Sequence, residues 1–137
     1  MLRLVYKSFE AMAFDANDLK RLLASSRLRN SEAGLTGVLI YDEGTFLQAL
    51  EGDSSAVQAT FARIERDARH KDVTVLLREP DASKRMFGHW SMGYADGKGA
   101  ASILKGFVDL PNGLRTASLD RSSAVRILDT VASRLAA

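Results

Sequence analysis

Residues 2–8 alternate, with Leu2, Leu4, Tyr6 and Ser8 on one side and Arg3, Val5 and Lys7 on the other, the pattern of a half-buried strand. The period then lengthens. Asp15 is placed to cap a helix running to about Arg29, with Leu19, Leu22, Leu23 and Ser26 at helical spacing and Asn30 and Gly34 closing it. Strands over Thr36 to Tyr41 and Thr45 to Glu51 flank Asp42-Glu43-Gly44, a hairpin loop ending in glycine. Asp53 or Ser54 opens a second helix with the apolar stripe Val57, Phe61, Ile64 and Ala68. A buried strand follows over Val73 to Arg78, a turn runs from Pro80 to Lys84, and a fifth strand is predicted over Trp90 to Tyr94. The order β-α-β-β-α-β-β begins as a split βαβ unit. It predicts an α+β, ferredoxin-like sheet with both helices on one face and strands 1 and 3 adjacent at its centre.

The tail changes character at about Asp96. Residues 96–106, rich in Gly, Ala and Lys, read as a short helix. Residues 119–135 read as a longer one with Val125, Leu128, Val131 and Leu135 on its apolar stripe. That stripe needs a cover, either the open face of its own sheet or a second chain.

Composition narrows the classes. At 137 residues, 46% apolar and 26% charged, the chain is sized for one globular domain. It has no cysteine, which excludes a disulfide scaffold, thiolate metal sites and a thiol nucleophile. No apolar run reaches a membrane span and the N-terminus lacks a signal-peptide h-region, so the expected location is the cytoplasm. The net charge of +2 is too small for a nucleic-acid surface, and no direct nucleic-acid binding is expected. Bases nevertheless cluster at Arg27 and Arg29 and at Arg63, Arg66, Arg69 and Lys71, which suits a small anionic ligand as well as it suits two solvated helix faces. Acidic residues read as scattered over loops and exposed faces.

Strand parity carries the chemistry. Gln48 lies between Phe46 and Leu50 on one face, and Tyr6 follows Leu2 and Leu4 on another. If both faces point to the helices, a phenol and an amide lie side by side in the core. There each needs partners or costs about 1–3 kcal/mol. A Tyr6–Gln48 hydrogen bond that only fixes strand register accounts for this, and so does a ligand between the helices that uses the amide's spare capacity. Asn30 reads as a helix C-cap or as a side chain at the edge of such a ligand. Trp90, Met92 and Tyr94 share a face as core or as ligand contacts. His70 and His89 have no metal-ligand spacing, no metal is expected, and no nucleophile elbow or phosphate-binding glycine loop occurs.

Six motifs occur in order: Leu4-Val5-Tyr6-Lys7-Ser8, Ser26-Arg27-Leu28-Arg29-Asn30, GLTGVLIY (34–41), GTFLQALEG (44–52), IERDARH (64–70) and WSMGY (90–94). Together they resemble a BLUF domain, a blue-light sensor using FAD, over roughly the first 95 residues, and the chain looks like the short standalone type. The resemblance implies residues 1–95 as the photosensor and 96–137 as a C-terminal helical extension. It implies FAD between the two helices, with FMN or riboflavin as alternative occupants because recognition centres on the ring. Tyr6 is implied as electron donor to the excited flavin, Gln48 as the amide between that phenol and the flavin, and Asn30 as a hydrogen-bonding partner of the ring edge. Leu22, Phe46 and Ile64 are implied as walls, Arg69 and His70 as rim, and Trp90 and Met92 as the strand-5 pair that passes the signal outward.

Such a protein is a switch and not an enzyme, and its signal leaves through a downstream protein partner or a change in homo-oligomeric assembly. The alternative is a small acylphosphatase-like hydrolase using an arginine and an asparagine, in which Gln48 would be idle. An RNA-recognition sheet would need paired exposed aromatics on its central strands, which are missing.

Overall fold

The computed structural model describes residues 1–99, 105–114 and 119–136. Strand β1 (Leu2–Glu10) leads to helix α1 (Ala16–Ala33), the hairpin β2 (Thr36–Asp42) and β3 (Thr45–Gly52), helix α2 (Ser54–Glu65) and strand β4 (His70–Glu79). Two short strands, β5 (Gly93–Asp96) and β6 (Phe107–Asp109), precede helix α3 (Arg121–Ala136). The six strands form one mixed sheet in the order β4-β1-β3-β2-β5-β6. The first four pair antiparallel, with β1 against β3 at the centre of the ferredoxin-like unit; β5 and β6 add in parallel beyond β2.

Local chemistry sets the boundaries. Asp15 and Asp18 close a reciprocal capping box on α1, with Asp18 N donating to Asp15 Oδ1 at 2.8 Å and Asp15 N to Asp18 Oδ2 at 3.0 Å. In the hairpin, Asp42 pairs with Thr45, so Glu43 and Gly44 alone make the turn, both at positive φ (45° and 86°), the geometry that matches strand twist. Gly37 is required for another reason: a Cβ there would lie 2.1 Å from Ala49 O on β3. Gly37→Ala should force the β2–β3 pair apart and cost about 1–3 kcal/mol. Its urea midpoint should fall accordingly, and an unchanged midpoint would contradict this packing.

The sheet separates two cores. On one face Leu4, Tyr6, Leu39, Phe46 and Leu50 pack under Leu19 and Leu23 of α1 and Val57 and Phe61 of α2. On the other, Val5, Val38, Ile40, Leu47, Ala49 and Ala95 are covered by Ala124, Leu128 and Val131 of α3 together with Val108, Leu110, Leu114 and Leu119. The last helix therefore covers its own sheet.

Several sequence expectations are corrected. Helix α1 runs past Arg29 to Ala33, so Asn30 sits inside its last turn and Gly34 is the left-handed cap. Ala68 lies beyond the end of α2. The fifth strand begins at Gly93, which leaves Trp90 outside it, half-buried and stacked on His89, and off the face shared by Met92 and Tyr94. The strand β6 was not anticipated. No helix occurs in 96–99 or 105–106, and the rest of the helix expected over 96–106 lies outside the described residues. Helix α3 starts at Arg121, and Ala124 takes the buried position expected of Val125. Glu51 and Asp96 are buried, against the expectation that acids lie on loops and exposed faces.

Candidate functional site

Strand register places Tyr6 directly opposite Gln48 on the helix-side face. The phenol, 3% exposed, donates to Gln48 Oε1. The Gln48 amide is 6% exposed, and its Nε2 donates to Met92 Sδ at 3.6 Å, a weak bond to a soft acceptor. Tyr6 also packs against Phe61 (ring centroids 5.4 Å) and His70 (6.3 Å). Burial, reinforced by the negative charge of Asp67, pushes the Tyr6 phenol well above its ordinary value, so it keeps its proton throughout the working pH range.

This pair forms the inner wall of a cleft between α1 and α2, enclosing about 700 Å³ when counted with the solvent at its open side. Leu22, Leu39, Phe46 and Ile64 line it with apolar surface; Asn30, Thr60 and Gln48 add amide and hydroxyl groups; Arg29, Arg63, Asp67, Arg69 and His70 line the rest. Asn30 is 2% exposed and its Nδ2 donates to Ser91 O at 2.7 Å. His70 donates from Nε2 to Ile64 O at 2.5 Å, because that oxygen can only accept, and its Nδ1 lies 2.9 Å from Ser8 Oγ. The Arg69 guanidinium is committed to Asp67 at 2.5 Å, which holds the Asp67 carboxyl below the usual carboxylate range. Arg29 and Arg63 have no acidic partner among the described residues, so two uncommitted cations stand at the cleft.

Eight of the ten residues singled out from the sequence line this one cleft: Tyr6, Leu22, Asn30, Phe46, Gln48, Ile64, Arg69 and His70. Met92 stands behind Gln48 as its hydrogen-bond partner. Trp90 is outside, its ring lying against Gly106, where an added Cβ would meet it at 2.8 Å. Phe14, Leu39, Thr60 and Asp67 were missed, whereas Arg29 and Arg63 belong to the basic clusters read as suited to an anion. Leu39 could have been found by parity, since it opposes Gln48 on β2. Among the described residues no group of three His, Asp or Glu is placed to hold a metal, and no helix is long and apolar enough to cross a membrane.

A mostly apolar cleft whose lining also includes amides and two guanidinium groups without an acidic partner among the described residues suits an aromatic group that carries polar edge atoms and an anionic substituent. Comparison with known proteins points the same way. Residues 1–93 match the family model described as BLUF, sensors of blue-light using FAD. The photoactivated adenylate cyclase subunit alpha of Euglena gracilis is 34% identical over 88 residues, 64% of this chain, and the chain spans only 8% of that relative's length. Among solved structures, the BLUF protein BlrB in its dark state superposes with a TM-score of 0.75 at 27% identity, covering 97% of this chain and 96% of that one. BlsA in its ground state gives 0.78 at 26% identity, covering 96% and 87%.

Proposed function

Because the chain belongs to the BLUF family of blue-light sensors using FAD, we propose that Tyr6 and Gln48 are its photoactive pair and that the cleft between α1 and α2 holds the flavin ring. The hydrolase alternative is set aside by the family assignment, in which the buried amide has a task. The donor set fits the group: Gln48 and Asn30 offer amides to the ring's polar edge, Leu22, Leu39, Phe46 and Ile64 its walls, and His70 and Arg69 its rim. The uncommitted Arg29 and Arg63 suit the phosphates that distinguish FAD from riboflavin.

When bound, FAD supplies a blue-absorbing ring that becomes a strong oxidant on excitation. The residues supply the rest. Tyr6, neutral at rest because burial raises its pKa, is the electron donor. Once oxidised its phenol becomes a strong acid and gives up its proton; electron and proton both return to Tyr6 afterwards, leaving only Gln48 rearranged. That proton already lies in a hydrogen bond to Gln48 Oε1, so the acceptor is in place. Gln48 is the element with two arrangements. Here its oxygen faces Tyr6 and its nitrogen faces Met92. Turning the amide, or converting it to its imidic-acid tautomer, changes what it offers to the ring and to the Met92 sulfur at once. The Tyr6–Gln48–Met92 chain of hydrogen bonds is the observation that carries this reading.

We further propose residues 1–95 as the sensor and 96–137 as its extension, a cytoplasmic location, a homo-oligomeric state and a downstream protein partner. A solved bacterial light-regulated adenylyl cyclase, 26% identical, matches 99% of this chain while the match covers 34% of its own length, which supports coupling to an effector.

Chromophore released by heat from the purified protein should run on HPLC as FAD at close to one per chain. It should be released intact, without a covalent remnant on the protein. Protein that stays colourless after expression with added riboflavin would overturn the proposal.

A further inference from the structure

We propose that Arg27 is the positioning residue that ties the backbone of Met92 to the start of β6, and so carries the state of Gln48 to the tail. The proposal rests on the photoactive reading of Tyr6 and Gln48 above. Arg27 lies on α1 one turn before Asn30. Its Nε donates to Met92 O at 2.7 Å and its Nη2 to Lys105 O at 2.6 Å. Partial burial lowers the pKa of the guanidinium, yet it stays charged, because arginine does not deprotonate in the working range. Only a planar fork can hold two carbonyls in fixed relation; a lysine ammonium is a point charge without that geometry.

The surrounding bonds leave little slack. Gly37 N holds Trp90 O at 3.0 Å, Asn30 holds Ser91 O at 2.7 Å and Arg27 holds Met92 O, so three consecutive carbonyls are fixed. On the far side of Arg27, Tyr94 N donates to Gly106 O at 2.9 Å, and β6 ends at Asp109, whose carbonyl accepts from Arg134 of α3 at 2.5 Å. The weakest member is the contact between Gln48 Nε2 and Met92 Sδ. When Gln48 changes what it presents, Met92 gains or loses that partner, and its carbonyl is the point at which Arg27 grips it. A shift at Met92 is then shared with Lys105 and β6 through the guanidinium fork.

The test uses the flavin-loaded full chain. Amide hydrogen exchange of residues 93–96 and 105–110 is followed in the dark and under blue light, with the absorption spectrum recorded on the same samples, for wild type, Arg27→Gln and Arg27→Lys. Wild type should show a light-minus-dark difference in these segments. Arg27→Gln should keep the light-induced red shift but lose most of that difference, at least fivefold, and Arg27→Lys should lose it almost as fully. A merely structural role would raise exchange equally in dark and light and leave the difference intact; that result would overturn the proposal. So would a wild type that shifts red with no difference at 105–110, a measurement that needs no variant to fold. A wild type that does not shift red would sink the photoactive reading itself, and this proposal with it.

Discussion

Tyr6→Phe should bind flavin as the wild type does and show no light-induced red shift. The change removes one oxygen and keeps the ring, so the packing against Phe61 at 5.4 Å survives and the cleft walls are untouched. What disappears is the most oxidisable group at the inner wall together with the proton it donates to Gln48 Oε1. The lost hydrogen bond leaves that oxygen facing a buried phenyl, and stability should fall by about 1–3 kcal/mol. Gln48→Leu should give the same spectral result for a complementary reason: similar volume, but neither donor nor acceptor between phenol and ring. The two variants together separate chemistry from register, because a bond that merely aligned β1 with β3 would lower stability and leave the photoresponse unchanged. Difference spectra on flavin-loaded variants decide between them, and a normal reversible shift in Tyr6→Phe would contradict the mechanism.

Glu51→Ala should have the largest effect on stability. The carboxylate is fully buried and makes four hydrogen bonds: Oε1 accepts from Thr36 Oγ1 and Phe87 N at 2.9 Å each, and Oε2 from Met86 N at 2.9 Å and Arg3 Nε at 3.1 Å. It thereby pins the connection that leads from β4 to Met92. Removal orphans the buried Phe87 N–H, at about 1–3 kcal/mol, and the part-buried Met86 N–H, and deprives Arg3 of its buried partner, although Glu79 still holds it at 2.9 Å. The expected loss is about 3–5 kcal/mol, a fall in melting temperature on the order of 10–20 °C. Glu51→Gln, which keeps shape and one acceptor, should lose less. Thermal unfolding checks both, and a loss below about 1 kcal/mol for Glu51→Ala would contradict the pinning role.

The residues that sequence reading found and those it missed differ in one physical respect, the range of the information needed. The alternation in β1 and the helical stripes of α1 and α2 are local periods. Two-residue parity puts Tyr6 with Leu2 and Leu4 and Gln48 with Phe46 and Leu50, and the β1–β3 register then brings the two faces together on the helix side. The same parity on β3 puts Glu51 with Leu47 and Ala49 on the opposite face, and that face is closed by α3 and the 86–87 segment, which no local period reveals. The short strand β5 pairs in parallel with β2, far back in the sequence, and β6 adds in parallel to β5, so their registers are set by tertiary contacts and not by a local period. Trp90 to Tyr94 alternates as a strand should, yet its first three carbonyls are taken by Gly37, Asn30 and Arg27. Arg27 read as one more member of a basic cluster, because its partners are backbone carbonyls 65 and 78 residues further along the chain.

The absorption spectrum of the purified wild-type protein, taken in the dark, under blue light and again after return to darkness, tests the central claim most directly. A bound flavin band should move to the red on illumination and return in the dark with no change in the chromophore's mass, because the lasting change is in the Gln48 amide and its hydrogen bonds and not in the flavin's covalent structure. A flavin band that is identical in light and dark would contradict the account.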